Sequence, residues 1–299
     1  MHTLMKVLIG IGLAMTTGAA LAADSTKPPL QIKVITTSEA SLYADSTLIM
    51  GEKDAVLVDP PFTRADGLRV AADVVESGKV LKTIYITHDH PDHFFSVDVF
   101  TDLFPDVEVV SAPKIVEDIW RSYPLKFKRW GPMLGMNGPR HPVSVHAVEG
   151  TGFTLEGHEI RIIGPMQGDH VDATALYVPD LQAVICGDLC FNKIHLWFGE
   201  QLPPQYDDWL ASVDKLIALK PKIAVAGHKL PGLPDDASAL DFTRRYIVAF
   251  KAAAAKSKTS AELTKMIQSQ FPDTQDVLDS FILSNSTKVA TGEMPPWDE

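Results

Sequence analysis

The chain has 299 residues, 27 of them Lys or Arg and 38 Asp or Glu, for a formal charge of −11 at pH 7. That acidity argues against nucleic acid or an anionic membrane surface as a partner and leaves a small molecule as the expected substrate. With 45% hydrophobic residues and 2 cysteines, the composition excludes a disulfide scaffold and suits a globular chain with a sizeable core.

The first residues read as a secretion signal: Lys6 in a short polar start, an apolar run from Val7 to Met15, then Ala20-Leu21-Ala22 before Ala23. Cleavage after Ala22 is expected, placing the mature protein in the periplasm or outside the cell. The apolar run is shorter than the roughly 20 residues that span a bilayer, so no stable membrane insertion is expected after cleavage. Residues 23–299 are expected to form a single domain, with a helical extension from about residue 237.

Strand-like runs follow at Gln31–Ile35, Ser46–Met50, Ala55–Val58, Leu81–Ile86 and Val107–Ser111, with a helix predicted over Arg64–Glu76. A second series comprises Gly152–Leu155 and Ile160–Ile163, a hairpin around Glu156-Gly157, then Ala175–Val178, Ala183–Cys186 and Ile223–Ala226. Further helices are predicted at Ser96–Leu103, Lys114–Trp120, Tyr206–Leu219, Ala237–Ala255, Ser260–Gln270 and Asp276–Ser284. The stretch Trp130–Pro142, dense in Gly, Pro and Met, predicts a long irregular loop, either a lid or a packed surface loop. Two sheets with helices on their outer faces accommodate this order, an α/β class.

Between Thr87 and His93 the chain reads Thr-His-Asp-His-Pro-Asp-His. Ordinary packing does not call for three histidines and two aspartates in six positions, whereas a divalent cation does. Imidazole and carboxylate without thiolate suit zinc. The preceding strand delivers the cluster at its end, and in extended backbone His88 and His90 point the same way while Asp89 turns aside. Pro91 suits a first helical position, which would put Asp92 and His93 in an opening turn.

Donors from elsewhere are needed to complete such a site. His170 lies in Gly-Asp-His-Val-Asp, Asp188 in Cys-Gly-Asp-Leu-Cys after an apolar strand, and His228 in Ala-Gly-His after another. Strand ends of this kind suit a site better than a core. Cys186 and Cys190 flank Asp188 and are expected as small buried hydrophobes rather than as a disulfide. His141, His146 and His158 are expected at surface or satisfied polar positions, and His195 is retained as a pocket residue.

With these segments in place, the chain from about Gln31 to His228 resembles the metallo-β-lactamase superfamily. The family pattern His-x-His-x-Asp-His is met by His88, His90, Asp92 and His93, and its later Gly-His, Gly-Asp and Gly-His elements by Gly168-Asp169-His170, Gly187-Asp188 and Gly227-His228. The resemblance implies an αββα sandwich of two mixed β-sheets flanked by helices. It also implies that His88, His90 and His170 hold one zinc ion, that Asp92, His93 and His228 hold a second, and that Asp188 bridges them. At the bridging position Asp188 resembles the glyoxalase II and lactonase branches, where true β-lactamases carry cysteine or serine. Phe191 stands where acyl-homoserine lactonases share a tyrosine, and Phe94-Phe95 where the family often has small residues.

Two zinc ions sharing a water lower its pKa toward roughly 7, so the expected chemistry is hydrolysis of an ester, lactone, thioester or amide-type bond. Asp92 is expected to be catalytic as well as a ligand, orienting the water or accepting its proton. Phe94, Phe95, Trp120, Trp130, Trp197 and Phe198 offer aromatic area, with Trp197 and Phe198 singled out as pocket residues by their place after Asp188. The alternatives are β-lactamase activity and an iron-dependent redox enzyme. Against iron stands His90, since the di-iron branch resembles His-x-Glu-x-Asp.

Overall fold

A computed structural model describes residues 27–297; the expected secretion signal and its cleavage point lie outside the described residues. The chain opens with β1 (Gln31–Thr36), β2 (Asp45–Met50), β3 (Asp54–Val58), β4 (Val80–Tyr85), β5 (Glu108–Ser111) and β6 (His146–Ala147), which lie in that order in one sheet. The first three pair antiparallel and the rest parallel. Next come β7 (Gly152–Leu155), β8 (His158–Met166), β9 (Ala173–Val178), β10 (Ala183–Ile185), β11 (Phe191–Asn192), β12 (Ile223–Val225) and β13 (His228–Lys229). The second sheet runs β12-β10-β9-β8-β7, with β10 and β12 parallel, while β11 and β13 form a small separate pair. Both sheets are mixed.

The helices are α1 (Arg64–Glu76), α2 (Val97–Leu103), α3 (Pro113–Leu134), α4 (Pro203–Ala218), α5 (Ser238–Ala254), α6 (Ser260–Gln270) and α7 (Phe281–Ala290). Strand alternation explains why they cover the outer faces. In β3, Val56 and Val58 join Ile49, Tyr85, Leu176, Ile185 and Val225 in a cluster between the sheets. The intervening Ala55 and Leu57 belong to the outer core instead, with Val70 and Val74 of α1. Successive side chains on a strand point to opposite faces, so an all-apolar strand needs a covered surface on both sides. The expected αββα sandwich is what forms.

Two predicted elements are corrected. Trp130–Pro142 is not one long loop, because α3 continues through Pro124 and Pro132 to Leu134 before a 3-10 turn at Gly135–Asn137. Its buried residues Ile115, Asp118, Ile119, Ser122 and Lys126 keep helical spacing, but three of the five are polar, so hydrophobic periodicity stops at Trp120. The last helix begins at Phe281, not at Asp276, because Leu278, Asp279 and Ser280 turn with positive φ while Asp276 accepts from the Leu283 amide.

Candidate metal centre

The clustered side chains follow strand ends that meet at one rim of the sandwich. His88, His90, Asp92 and His93 follow β4, Asp169 follows β8, Asp188 follows β10, and His228 opens β13 just after β12. Pro91–His93 forms the expected helical turn, as 3-10. Two groups result, each with ligand atoms within 4.8 Å of one another: His88, His90, Asp169 and Asp188 in one, Asp92, His93 and His228 in the other.

Asp188 stands between them. Its Oδ2 lies 3.6 Å from His88 Nε2 and 3.3 Å from His228 Nε2, and its Oδ1 lies 3.1 Å from His93 Nε2. Asp92 Oδ2 is 3.2 Å from His228 Nε2, and Asp169 Oδ2 is 3.2 Å from His90 Nδ1. Donors bonded at about 2.0–2.2 Å to a tetrahedral cation stand roughly 3.3–3.6 Å apart, within a few tenths of an ångström of these separations, so the clusters are of a size to take an ion such as zinc. Gly227 makes room for the bridge, since a Cβ there would come within 1.9 Å of Asp188 Oδ1.

The four histidines are aimed inward by what they touch on the far side of the ring. His88 Nδ1 meets Thr87 Oγ1 at 2.9 Å, His93 Nδ1 meets Asp59 Oδ2 at 3.0 Å, and His228 Nδ1 meets the Leu42 carbonyl at 2.8 Å. His90 is turned the other way, with Nε2 on Glu200 Oε1 at 3.1 Å and Nδ1 inward. Each outer nitrogen donates, so the inner nitrogen is the one turned toward the other donors, where a cation can take the place of its proton. Asp59 is itself fixed by the Thr87 amide and hydroxyl, at 2.8 and 2.7 Å.

His88 Nε2, Asp169 Oδ1 and Asp188 Oδ1 are buried with no hydrogen-bond partner among the described residues. Buried polar atoms left bare are costly, and three converging on one place mark a cation site. The charge balance agrees. Burial, with His93 close by, pushes His88 down to about 4. Burial drives Asp169 well above the carboxylate range, despite His90. Burial opposes the charge of Asp188 and of Asp92, yet the neighbouring His228 and His93 hold both carboxyls well below it. Against burial, Asp188 in turn pushes His93 well up and His228 up to about 10, so positive charge is what this cluster of acids attracts.

Of the seven expected ligands, six fall in the two groups and His170 does not. Its Nε2 lies 3.5 Å from Asp89 Oδ1 and its Nδ1 accepts from the Asp172 amide at 3.3 Å, while Asp169 next to it faces inward. Asp89 has indeed turned aside, onto Ser122 and Lys126 of α3 at 2.7 and 2.8 Å. Sequence reasoning missed Asp169, Glu200, Asp59 and Lys126. Asp59 could have been noticed at the end of an apolar strand, like the other donors, but Glu200 and Lys126 carry no such mark.

A pocket opens over this floor, and Trp130, Trp197 and His195 line it, as does Phe191, stacked on His228 at 5.2 Å. Phe94 and Phe95 are core residues, Trp120 is half-exposed and outside the pocket, and Phe198 is buried against Phe250. His158 is a satisfied polar residue on Asp180 and the Pro28 carbonyl, His141 and His146 are exposed, and both cysteines are buried and free.

The sequence pattern of the metallo-beta-lactamase superfamily matches residues 42–228, more than half the chain. The chain belongs to that superfamily. It is therefore a metal-dependent hydrolase acting on a small molecule. Solved structures similar to this superfamily member include the DIM-1 metallo-beta-lactamase exposed to ceftazidime, at 17% identity and TM-score 0.53, covering 74% of this chain and 98% of that one. A metallo-beta-lactamase from Pontibacter korlensis matches at 17% and 0.54, with 75% and 96% covered. VMB-1 matches at 18% and 0.53, with 73% and 91% covered. Such identities speak for the fold alone. No curated protein matches the chain.

Proposed function

We propose that the protein is a secreted or periplasmic hydrolase that uses two zinc ions to cleave an ester, lactone, thioester or amide-type bond of a small molecule. Asp188 carries the reading: one carboxylate touches histidines of both groups, with buried bare donors around it. His88, His90 and Asp169 would hold one ion and Asp92, His93 and His228 the other, with Asp188 shared. His170 supports that shell from Asp89 rather than joining it. Two divalent cations bound there supply Lewis acidity at the scissile carbonyl and a water acidic enough to attack near neutral pH.

The chain's own groups do the rest. Asp92 faces the pocket with its Oδ2 3.2 Å from His228 Nε2, which places it to orient an attacking water and receive its proton. Glu200 and Asp59 keep His90 and His93 from turning. The apolar pocket walls exclude bulk water, which strengthens each charge interaction inside. Aspartate at position 188 favours the glyoxalase II or lactonase branch over a β-lactamase, although the similar structures named above include β-lactamases.

A panel of ester, lactone, thioester, β-lactam and phosphoester substrates tests the proposal, with metal content measured on the same protein. We expect two zinc ions per chain, turnover of an acyl bond, and an Asp92→Asn variant that loses turnover more completely than it loses metal. Full activity in that variant would reject Asp92 as the proton acceptor. Iron with visible absorbance in protein purified without added metal would move the reading to redox chemistry.

A further inference from the structure

The pocket has a charged floor and an apolar wall, and part of that wall, including its hub, comes from chain outside the family match. Phe281 is the hub: it stacks on Trp197 at 5.6 Å and meets Trp130 and Trp297 edge to face at 5.7 and 5.1 Å. Phe62 continues the surface from Trp130 at 5.6 Å. Phe281 and Trp297 lie past residue 228, where the family match ends. They are held in place by a zipper of main-chain contacts: the His195 amide on the Gln275 carbonyl at 3.0 Å, and the Trp297 amide on the Gly199 carbonyl at 2.8 Å. Trp197 Nε1 also donates to Glu200 Oε1 at 3.1 Å, the oxygen that holds His90, so wall and floor share a support.

The floor leaves no positive charge to spare. Asp92, Asp169, Asp188 and Glu200 all line the pocket, and once a bound cation ionised Asp169 the four carboxylates would balance two divalent cations in formal charge. Among the described residues that line it, Lys126 is the one Lys or Arg, and its ammonium is committed to the Asp89 carboxylate and carbonyl. A substrate carboxylate or phosphate set on that floor would be desolvated beside the carboxylates, and the Arg129 guanidinium lies over the Trp297 ring, 3.6 Å from its centroid, rather than among the lining residues. An uncharged molecule with a ring or alkyl chain would bury that part against the aromatic wall.

We infer that the substrate is an uncharged ester or lactone bearing an apolar ring or chain, and that Phe281 and Trp297 determine this specificity. The inference rests on the hydrolase reading above. Two measurements on the metal-loaded protein separate the two. In kinetics, p-nitrophenyl phenylacetate is expected to exceed p-nitrophenyl acetate in kcat/KM by at least about tenfold, and p-nitrophenyl butyrate to exceed the hemisuccinate ester by a similar factor. Phe281→Ala and Trp297→Ala should each shrink the phenylacetate-to-acetate ratio by about tenfold. In binding, followed by tryptophan fluorescence, benzyl methyl ketone should bind at least about tenfold tighter than its ring-sulfonated derivative and weaken in Phe281→Ala. Absence of all ester turnover with this binding pattern intact would reject the hydrolase reading and keep the pocket assignment. Equal binding of the sulfonated and neutral ketones, or ratios unmoved in both variants, would overturn the inference.

Discussion

Which of two adjacent side chains enters the metal centre is decided by a single turn. Gly168 donates its amide to the His170 carbonyl at 2.8 Å, and that bend sends Asp169 inward while His170 rests beside Asp89. Residue types alone favour the histidine, since imidazole is the commoner zinc donor, and only backbone phase shows the carboxylate facing in. Metal analysis should find about one ion in Asp169→Ala, whereas His170→Ala retains two and binds them at most about 10–100-fold more weakly, as for a supporting residue. Two ions in Asp169→Ala and one in His170→Ala would restore the family's ligand. The other donors were legible because each is tied to a strand end that the apolar pattern marks. His195 tests a different kind of burial. Desolvation pushes its imidazole down to about 4, with Nδ1 on the Tyr246 hydroxyl at 2.7 Å. A depressed histidine contributes stability that is present above its unfolded value near 6.5 and lost as pH falls toward the folded one. Metal-free protein should therefore lose about 3 kcal/mol more unfolding free energy between pH 7 and pH 4 than His195→Gln does. Urea titrations at both pH values measure this, and identical losses would remove His195 as the cause.

Among the elements, α3 shows where periodicity fails and why. A proline inside a helix costs about 3 kcal/mol, and α3 carries Pro124 and Pro132 yet runs unbroken to Leu134. Its buried stripe binds the back of the metal loop: Ser122 and Lys126 both donate to Asp89, which follows His88 directly. A buried lysine reads in sequence as a solvated face, so the helix looks finished at Trp120 and the remainder looks like a loop. Helices that bury apolar stripes against a sheet, α1 and α4 among them, were legible to within about three residues. Lys126→Met should leave the Asp89 carboxylate buried and uncompensated, and we expect about 3–5 kcal/mol of lost stability, read as a lower urea midpoint. A midpoint unchanged from the parent would mean that Asp89 draws its support from elsewhere.

For the whole molecule, the sandwich and its centre are stabilised by different physics. The cluster between the sheets is apolar, with Ile49, Val58, Leu176 and Val225 fully buried, and needs no cation. The rim gathers Asp92, Asp169, Asp188 and Glu200 in a chain whose formal charge is already −11. Bound cations would offset that repulsion only in the folded state, so removing them should destabilise without dissolving the sheets. At a free ion concentration of about 1,000 times Kd, one site stabilises by about 4 kcal/mol, and each kcal/mol moves the melting temperature of a protein this size by about 2–4 °C. Chelation is therefore expected to lower the melting temperature by about 8–16 °C for each site emptied and zinc to restore it, while the far-ultraviolet circular dichroism at 25 °C stays the same. A melting curve indifferent to chelator and zinc would show that the rim holds together without a cation, and the case for a metal centre there would fall with it.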